Sequence, residues 1–330
     1  LLSLLYHSVL CKAHCKFHGL IPIIDKIIFP ILRGCYLMKY PPQLLLILAT
    51  LLWGGNFVIG RAVAGEIPPI TLAFLRWVVA FAVFFPIAYQ RTRKEWNTLK
   101  QNWGAVIMLA LTGVASFNTL VYIGLYYTTS INASLMNSST PIIIYILSFI
   151  FLKERLTKYQ LAGTMLSLIG VLFIISGGSL QSLLGFSFNK GDLIVLVAVC
   201  CWSIYSLLIK KYAGRLPGYS TFLVTIAIGA LMLLPFTLYE LLTTSQTIVW
   251  STTTIGAIFY VGVFASIVAF LSWNTGVVAL GANKAGIYLN FIPLFASIFA
   301  VIFLNEKLLL AQLIGGVTII VGVFISSIKK

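Results

Sequence analysis

Charged residues are scarce in this sequence: Asp, Glu, Lys and Arg make up 9% of its 330 residues, and only 7 positions are acidic. A soluble domain carries about a quarter charged residues, so a soluble globular protein is excluded. Apolar runs of about 20 residues recur along the chain instead, and each is long enough to cross ~30 Å of hydrocarbon as a helix. The composition therefore predicts an all-α polytopic membrane protein in a lipid bilayer.

The middle of each apolar run also lacks Asp, Glu and His. Chemistry inside a membrane needs clustered acids, histidines, or a nucleophile beside its base, so we predict that the protein is not an enzyme. A phosphate-binding G-x-x-x-x-G-K-[ST] loop is missing as well, which argues against an ATP-driven pump. No cofactor is implied. Any ion coupling must use groups near helix ends, such as Glu66, Asp192 and Glu240, or an exchanged substrate.

The 5 cysteines form no disulfide framework, because Cys200 and Cys201 lie inside one apolar run and the others lie in residues 1–37. We interpret residues 1–37 as a doubtful leader that is not part of the native protein, since Met38 opens an ordinary first membrane segment. Four of its residues have metal-ligand chemistry: Cys11, His14, Cys15 and His18. Their spacing places them along one face of one helix, where they cannot surround zinc tetrahedrally, so we predict no metal site.

Ten membrane helices are predicted from the apolar runs and from the charged, Pro or Gly positions between them. They cover residues 43–62, 69–90, 103–126, 131–152, 158–177, 192–210, 219–239, 253–279, 284–304 and 309–328.

The lysines and arginines indicate how these helices are oriented. With the N-terminus in the cytoplasm, the loops on the far side hold only Arg61, Lys190 and Lys307 of the 22 basic residues. The positive-inside rule then predicts both termini in the cytoplasm. The net charge of +15 is therefore a topology signal. We expect the membrane to be a bacterial inner membrane. Because the basic residues are not interleaved with aromatics, we predict no nucleic-acid partner.

The second half of the chain repeats the first. The segment PIIIYILSFIFLKERL, residues 141–156, returns as PLFASIFAVIFLNEKL, residues 293–308. Other matched pairs are Gly163 and Gly315, Gly170 and Gly322, and Trp53 and Trp202. The chain thus divides into a first five-helix repeat at residues 38–178 and a second at residues 191–328. Because five is odd, the second repeat enters the bilayer from the opposite side, which is the inverted-repeat plan of secondary transporters.

Three motifs carry a family resemblance. They are LLWGGNFVIGR at residues 51–61, FLRW at residues 74–77, and the paired P…LKERL and P…LNEKL patterns that close the two halves. In these motifs the chain resembles the EamA-type family of the drug/metabolite transporter superfamily, over about residues 40–328. The resemblance implies a ten-helix exporter or importer of small metabolites. It also implies a central substrate cavity lined by the first, third, fourth, sixth, eighth and ninth predicted helices.

Polar and aromatic residues inside the spans are the candidates for substrate contacts, because each makes membrane insertion less favourable. The candidates are Trp53, Asn56, Asn118, Tyr122, Ser138, Trp202, Tyr205, Trp273, Asn274 and Asn290. Together they predict a wet chamber with aromatic walls, suited to an amphipathic molecule. The alternative is that some of them form hydrogen bonds between helices or belong to interfacial aromatic belts.

Arg76 is the only basic residue well inside a predicted span. One interpretation is a counter-charge for a carboxylate or phosphate of the substrate. The other is an arginine that extends outward to the membrane surface, for example toward Glu66, or that joins helix ends.

Four residues at matched positions are predicted to have structural or gating roles: Pro141, Pro293, Glu154 and Glu306. Each proline removes one backbone donor, which leaves the carbonyls of Asn137 and Leu289 without their usual helical partners. The two glutamates follow matched helix ends on opposite faces, where they are expected to anchor the helices or to contact a gate.

These features favour a secondary, non-ATP transporter that exports or exchanges small amphipathic metabolites such as amino acids. We expect it to work by alternating access, as a monomer or homodimer. Phosphorylated sugars or nucleotide sugars are the alternative substrates, although they usually require more buried positive charge. A structural or receptor-like membrane protein that transports nothing is the competing class.

Overall fold

The computed structural model describes residues 40–63, 65–128, 133, 136–179, 181, 189–244, 246–304 and 309–328. Regular structure within these ranges is helical throughout. The leader at residues 1–37, with its cysteines and histidines, lies outside the described residues, and so does Glu306.

Ten helical segments follow the ten predicted spans. They are α1 (Pro42–Ala62), α2 (Pro69–Lys94), α3 (Trp103–Leu109, Ala110–Ser116 and Phe117–Tyr127), α4 (Thr140–Leu152), α5 (Lys158–Ser176), α6 (Lys190–Lys211), α7 (Gly218–Thr243), α8 (Thr252–Leu280), α9 (Ala282–Gly286, Ile287–Asn290 and Phe291–Leu304) and α10 (Leu310–Ser327). A short helix, Trp96–Gln101, lies between α2 and α3.

Within the described residues, 9 of these helices are long and apolar enough to cross a membrane. The apolar stretch around α4, Met136–Leu152, is shorter than the others. The all-helical membrane fold is confirmed, whereas the predicted count of ten spans is not.

Pro141 interrupts the helix of the fourth predicted span. Residues 136–138 are helical, and a turn at Ser139 separates them from the continuous helix that begins at Thr140. Because proline has no N–H, it cannot bond the carbonyl of Asn137, and the hydroxyl of Thr140 donates to that carbonyl instead.

The contacts between helices repeat across the two halves. α1 packs against α8 and α9, and α6 packs against α3 and α4, which are the same pairs shifted by five helices. α2 packs against α7, and α5 packs against α10, so these two pairs map onto themselves. An approximate two-fold axis therefore runs between the repeats.

The two repeats are inverted. Asn283, at the start of α9, donates its Nδ2 to Glu154, just after the end of α4, at 3.1 Å. Since α9 begins where its repeat equivalent α4 ends, the two helices cross the bundle in opposite directions. We call this end of the bundle the basic face, because it carries residues 91–102, 153–158 and 210–217, and the other end the opposite face.

Glycines bring α5 and α10 into backbone contact. A Cβ atom on Gly163 would lie 2.6 Å from the backbone nitrogen of Ser326, and one on Gly315 would lie 2.5 Å from the carbonyl oxygen of Gly170. Only glycine fits at such distances. The glycines seven residues apart in each helix thus allow the close contact that their spacing predicts.

The ends of α2 and α7 are joined by carboxylates at both faces. Glu240, near the end of α7, accepts hydrogen bonds from the backbone N–H groups of Ile70 at 3.0 Å and Thr71 at 2.7 Å, at the start of α2. Glu95, just after α2, accepts one from the hydroxyl of Ser220 at the start of α7. Negative charge is favourable at a helix N-terminus. Because Thr71 and Ser220 are repeat equivalents, a glutamate accepts a hydrogen bond from the equivalent hydroxyl at each face.

Glu66, in the connection from α1 to α2, fixes the start of α8. Its carboxylate accepts hydrogen bonds from the hydroxyls of Thr254 and Ser251, the latter at 2.7 Å. The Glu66 carbonyl accepts another from the backbone N–H of Val249 at 2.9 Å. Hydrogen bonds to the charged form, first from Thr254 and then from Ser251, lower the pKa of Glu66 below its usual value of 4.5.

The lowered pKa makes this connection sensitive to acid. A carboxyl group whose pKa is lower in the folded state contributes stability above its unfolded pKa, and this stability is lost as the pH falls through the folded pKa. We therefore expect the Tm of the wild-type protein in detergent to fall more steeply below pH 4.5 than that of Glu66→Gln, which cannot titrate. Parallel Tm curves for the two proteins over this range would contradict the expectation.

Candidate functional site

The centre of the bundle holds a cluster of four aromatic residues, Trp53, Trp202, Trp273 and Phe270. The repeat equivalents Trp53 of α1 and Trp202 of α6 meet edge to face, with ring centroids 5.1 Å apart. Trp273 of α8 lies 5.6 Å from Trp53 and 5.7 Å from Trp202. Phe270, one turn earlier on α8, contacts both of these tryptophans. We call this set the central aromatic cluster.

The central aromatic cluster is packed, unlike the open chamber that the sequence suggests. All four side chains are buried. Each edge-to-face contact stabilises the packed arrangement by about 0.5–1.5 kcal/mol. Because the four rings pack against one another, a ligand that binds to this arrangement would contact the rings from the side and would not lie between them.

α3 and α8 each contain a π-helical segment at matched positions, Ala110–Ser116 and Val263–Val268. A π turn changes the direction of backbone carbonyls, and such turns are frequent at functional sites. In α8 the carbonyl of Ala265 accepts hydrogen bonds from Trp53 Nε1 at 3.0 Å and from Arg76 Nη2 at 3.4 Å. The π segment of α8 thus connects the central aromatic cluster to the arginine.

Arg76 of α2 is fully buried. Its Nε donates to Ser266 Oγ at 2.9 Å, and its Nη1 donates to the hydroxyl of Tyr122 at 3.4 Å. Its guanidinium also lies over the Trp77 ring, 5.1 Å from the centroid. The side chain therefore points into the bundle, and the alternative of an arginine that reaches the membrane surface is not what the structure shows.

In the described part of the chain, no carboxylate pairs with Arg76. Glu66, which the sequence suggests as a surface partner, is bonded to Ser251 and Thr254. Burying an ion without a counter-charge costs several kcal/mol, and hydrogen bonds to neutral groups offset this only in part. The site can therefore accept an anionic group.

Buried polar atoms without a hydrogen-bond partner in the described residues include Asn56 Oδ1, Asn118 Nδ2, Trp202 Nε1 and Trp77 Nε1. Asn56 lies one turn beyond Trp53 on α1. Asn118 lies one turn before Tyr122 on α3, and the ring of the residue preceding it lies 4.8 Å from that of Trp202, at a tilt. Because nearly all buried polar groups are paired, these atoms mark positions where a polar ligand or water can bind.

The two repeat-equivalent tryptophans differ in their bonding. Trp53 Nε1 donates to the π segment of α8, whereas Trp202 Nε1 has no partner among the described residues. In α3 the position equivalent to Ala265 is Gly113. The ring of Tyr205 packs directly on this glycine, since a Cβ there would lie 2.8 Å from Cγ of Tyr205. Of this equivalent pair, therefore, only the tryptophan on α6 has an indole N–H without a partner among the described residues.

Several other predicted residues bond to neighbouring helices. Tyr205 donates its hydroxyl to Asn274 Oδ1 at 3.0 Å, which joins α6 to α8. Trp273 Nε1 donates to Ser206 Oγ at 3.3 Å. These bonds hold the walls of the site in place, and a substrate contact by these residues stays a prediction.

Asn290 and Ser138, the matched positions before the two prolines, are both buried. Asn290 Nδ2 donates to Ser167 of α5 at 2.9 Å, so its amide joins α9 to α5. Asn290 Oδ1 has no hydrogen-bond partner among the described residues. The role of Asn290 in substrate binding, like that of Ser138, stays a prediction.

At the basic face, α4 and α9 are in contact. Glu154 accepts hydrogen bonds from Ser148 Oγ at 3.0 Å and from Asn283 at 3.1 Å. A Cβ on Gly286 of α9 would lie 3.1 Å from Ile144 of α4. The end of α8 also packs against α6, whereas its repeat equivalent, Phe117–Tyr127, makes at most marginal contact with α1 within the described residues. At this face the first repeat thus contacts the second through α4 and the start of α9. Pro293 lies in α9, and its gating role stays a prediction.

Sequence reasoning missed Trp77, Phe270 and Ser266 as parts of the site. Phe270 and Ser266 lie three and seven residues before Trp273 and so share its helix face, a spacing that could have indicated them. Trp77 directly follows Arg76, and only the tertiary structure shows the ring beneath the guanidinium.

Comparisons with known proteins agree with this fold. The model of the EamA-like transporter family matches residues 41–176 and again residues 189–328. An uncharacterized transporter of Bacillus subtilis (strain 168), YyaM, is 32% identical over 279 residues, which cover 83% of this chain and 89% of that protein. An uncharacterized transporter of Archaeoglobus fulgidus is 27% identical over 296 residues, which cover 89% of this chain and 99% of that protein. One solved crystal structure has a TM-score of 0.72 at 21% identity and covers 87% of this chain and 96% of its own, which shows a shared fold alone.

Proposed function

The chain belongs to the EamA-like transporter family, and on this premise we propose that it is a secondary, non-ATP transporter that exports or exchanges small amphipathic metabolites such as amino acids. The observation that carries the proposal is the buried guanidinium of Arg76, which pairs with no carboxylate in the described residues and lies beside the central aromatic cluster. Alternating access around this site, between two inverted repeats, would carry the substrate across the bilayer.

An amino acid fits Arg76 and several of the unsatisfied groups. Its carboxylate pairs with Arg76 through charge-assisted hydrogen bonds. Its ammonium group is attracted by the tryptophan faces and by Asn56 Oδ1. The donors Trp202 Nε1 and Asn118 Nδ2 bind oxygen atoms of the substrate, and an apolar side chain packs on the aromatic rings.

Phosphorylated sugars and nucleotide sugars fit the site less well. A phosphate carries up to two negative charges, and Arg76 is the only Lys or Arg in the interior of a described span. A singly charged carboxylate balances one guanidinium, which favours amino acids.

Exchange of substrates is favoured over coupling to protons. The acidic groups that could serve as proton carriers already accept hydrogen bonds at helix ends. Glu240 caps α2, Glu66 holds the start of α8, and Asp192 accepts a hydrogen bond from Thr128 Oγ1 at 2.5 Å. We place the protein in a bacterial inner membrane as a monomer or homodimer, with both termini and the basic face in the cytoplasm.

Transport is tested by counterflow in proteoliposomes. Vesicles that contain the purified protein are preloaded with one unlabelled amino acid at a time and assayed for uptake of the same labelled compound, with sugar phosphates and nucleotide sugars as a second panel. We expect saturable counterflow of one or more amino acids. Flux of the second panel alone would favour the alternative substrates, and no flux of any compound would favour a protein without transport activity.

Asn56→Ala and Trp202→Ala should reduce transport more than folding. We expect both to lower counterflow about tenfold or more per folded molecule, because each removes a hydrogen bond to a charged substrate, and Trp202→Ala also removes a ring of the central aromatic cluster. The matched controls are the exposed residues Asn97 and Trp250, whose alanine variants should transport normally. Equal flux per folded molecule in test and control variants would remove Asn56 and Trp202 from the site.

A further inference from the structure

A cavity lies on the outer side of α2 and α7. It has a volume of about 460 Å³ and lies between α2, α7 and the start of α3 at the basic face. Phe81, Phe85 and Tyr89, one turn apart on α2, form one wall, and the other wall is formed by α7 residues Leu223, Val224, Ala227 and Ile228. We call it the lateral groove.

The lateral groove has the dimensions of one lipid chain. From Phe81 to Arg93, α2 rises about 18 Å. One leaflet of hydrocarbon is about 15 Å thick, half of the ~30 Å core. The groove therefore extends from the level of the lipid headgroups to about the bilayer midplane.

The mouth of the lateral groove is cationic and aromatic. Arg93 lines it, and the exposed Lys94 lies next in sequence. Trp96 and Trp103 meet there edge to face at 6.0 Å, which is typical of residues at a membrane–water interface. The neighbouring acid, Glu95, accepts a hydrogen bond from Ser220. An anionic headgroup would complement this charge.

The basic residue at the mouth of the lateral groove is not repeated in the second half of the chain. The position equivalent to Arg93 is Leu242 of α7, at the opposite face. The cavity near that end, about 180 Å³, is lined by Pro68, Pro69 and the carboxylate of Glu240 and has no basic residue in its lining. The basic mouth is therefore a property of one face and not a consequence of the fold.

We propose that the lateral groove binds an anionic phospholipid, with one acyl chain between α2 and α7 and the headgroup phosphate on Arg93. The lipid belongs to the leaflet at the basic face. The bound lipid contacts both α2 and α7, the helices that carboxylates join at both faces. Its binding therefore stabilises the contact between these two helices.

The experiment titrates dioleoyl phosphatidylglycerol or dioleoyl phosphatidylcholine into the full chain in detergent and follows Tm. We expect phosphatidylglycerol to raise the Tm at concentrations about tenfold lower than phosphatidylcholine, and Arg93→Gln to remove this difference. Arg215→Gln, which removes an exposed arginine at the same face outside the groove, should behave as wild type. Equal effects of the two lipids on the wild-type protein would overturn the proposal.

The position of the acyl chain is tested on folded protein with phosphatidylglycerol brominated along its chains. We expect bromine to quench tryptophan fluorescence in the wild type and to quench less in a Trp96→Phe, Trp103→Phe variant. Ala227→Phe, which fills the groove without adding a tryptophan, should prevent quenching at these two positions. Unchanged quenching in the filled variant, or a dimer of the wild type that Ala227→Phe dissociates, would mean that the groove does not hold a lipid.

Discussion

Transport by the Arg76→Gln variant is expected to fall at least about 30-fold per folded molecule. Removing one partner of a buried charge pair costs about 2–5 kcal/mol, and each 1.4 kcal/mol is a factor of ten. Because the partner of Arg76 is proposed to be the substrate's carboxylate, the whole loss falls on the bound state. Counterflow of the best amino acid from the proteoliposome panel, normalised to folded protein, measures it.

If Arg76 had a purely structural role, its replacement would lower the Tm of the protein. Glutamine loses the bonds to Ser266 and Ala265, but it also removes a buried charge without a carboxylate partner, and the two effects oppose each other. We therefore expect a Tm close to that of the wild type, together with loss of the Tm increase that the substrate causes. Arg76→Lys keeps the charge without the planar fork and should transport at an intermediate rate. Arg215→Gln is the charge-matched control, and wild-type flux in Arg76→Gln would exclude the proposed carboxylate partner.

Gly170→Leu is expected to abolish folding of the protein in the membrane. A Cβ at this position would lie 2.6 Å from the carbonyl oxygen of Gly315 and 2.9 Å from the backbone nitrogen of Ile319. Backbone atoms cannot move aside as a flexible side chain can, so α5 and α10 must separate along their contact. Ordinary overpacking costs about 1–3 kcal/mol, and this change is expected to exceed that range.

The measurement is the yield of monodisperse protein on size-exclusion chromatography, with a Tm where material remains. The control is Gly256→Leu in α8, where an added Cβ meets nothing within 4 Å. It carries the same substitution on a membrane helix, so general effects of leucine on insertion cancel. A Gly170→Leu protein with the yield and Tm of the control would show that this glycine contact is dispensable.

The helices could be predicted from sequence because their signals are local. Runs of about 20 apolar residues must become helices in a bilayer, since the hydrocarbon offers no partner for the backbone. A local departure is at α4, where a turn at Ser139, close to Pro141, separates residues 136–138 from the continuous helix that begins at Thr140. The repeat could be predicted too, because matched glycines and prolines keep their spacing.

The site could be predicted only in part. Trp53 and Trp202 were indicated by their repeat equivalence, and they do lie together on the approximate two-fold axis. Two other features had no signal in the sequence: the π segments of α3 and α8, and the bond of Asn290 to Ser167 on α5. A π turn differs from an α turn by one residue of hydrogen bonding, and the apolar pattern does not reveal it.

Composition and spacing alone predict a helical membrane protein of two opposed halves, because the apolar runs match the thickness of the hydrocarbon and the repeat returns after an odd number of predicted helices. The surroundings of Arg76 follow from tertiary packing alone. The sequence allows the side chain to lie at the surface or in the interior. The approach of α8 decides between them, because its π segment presents the Ala265 carbonyl and the Ser266 hydroxyl to the guanidinium.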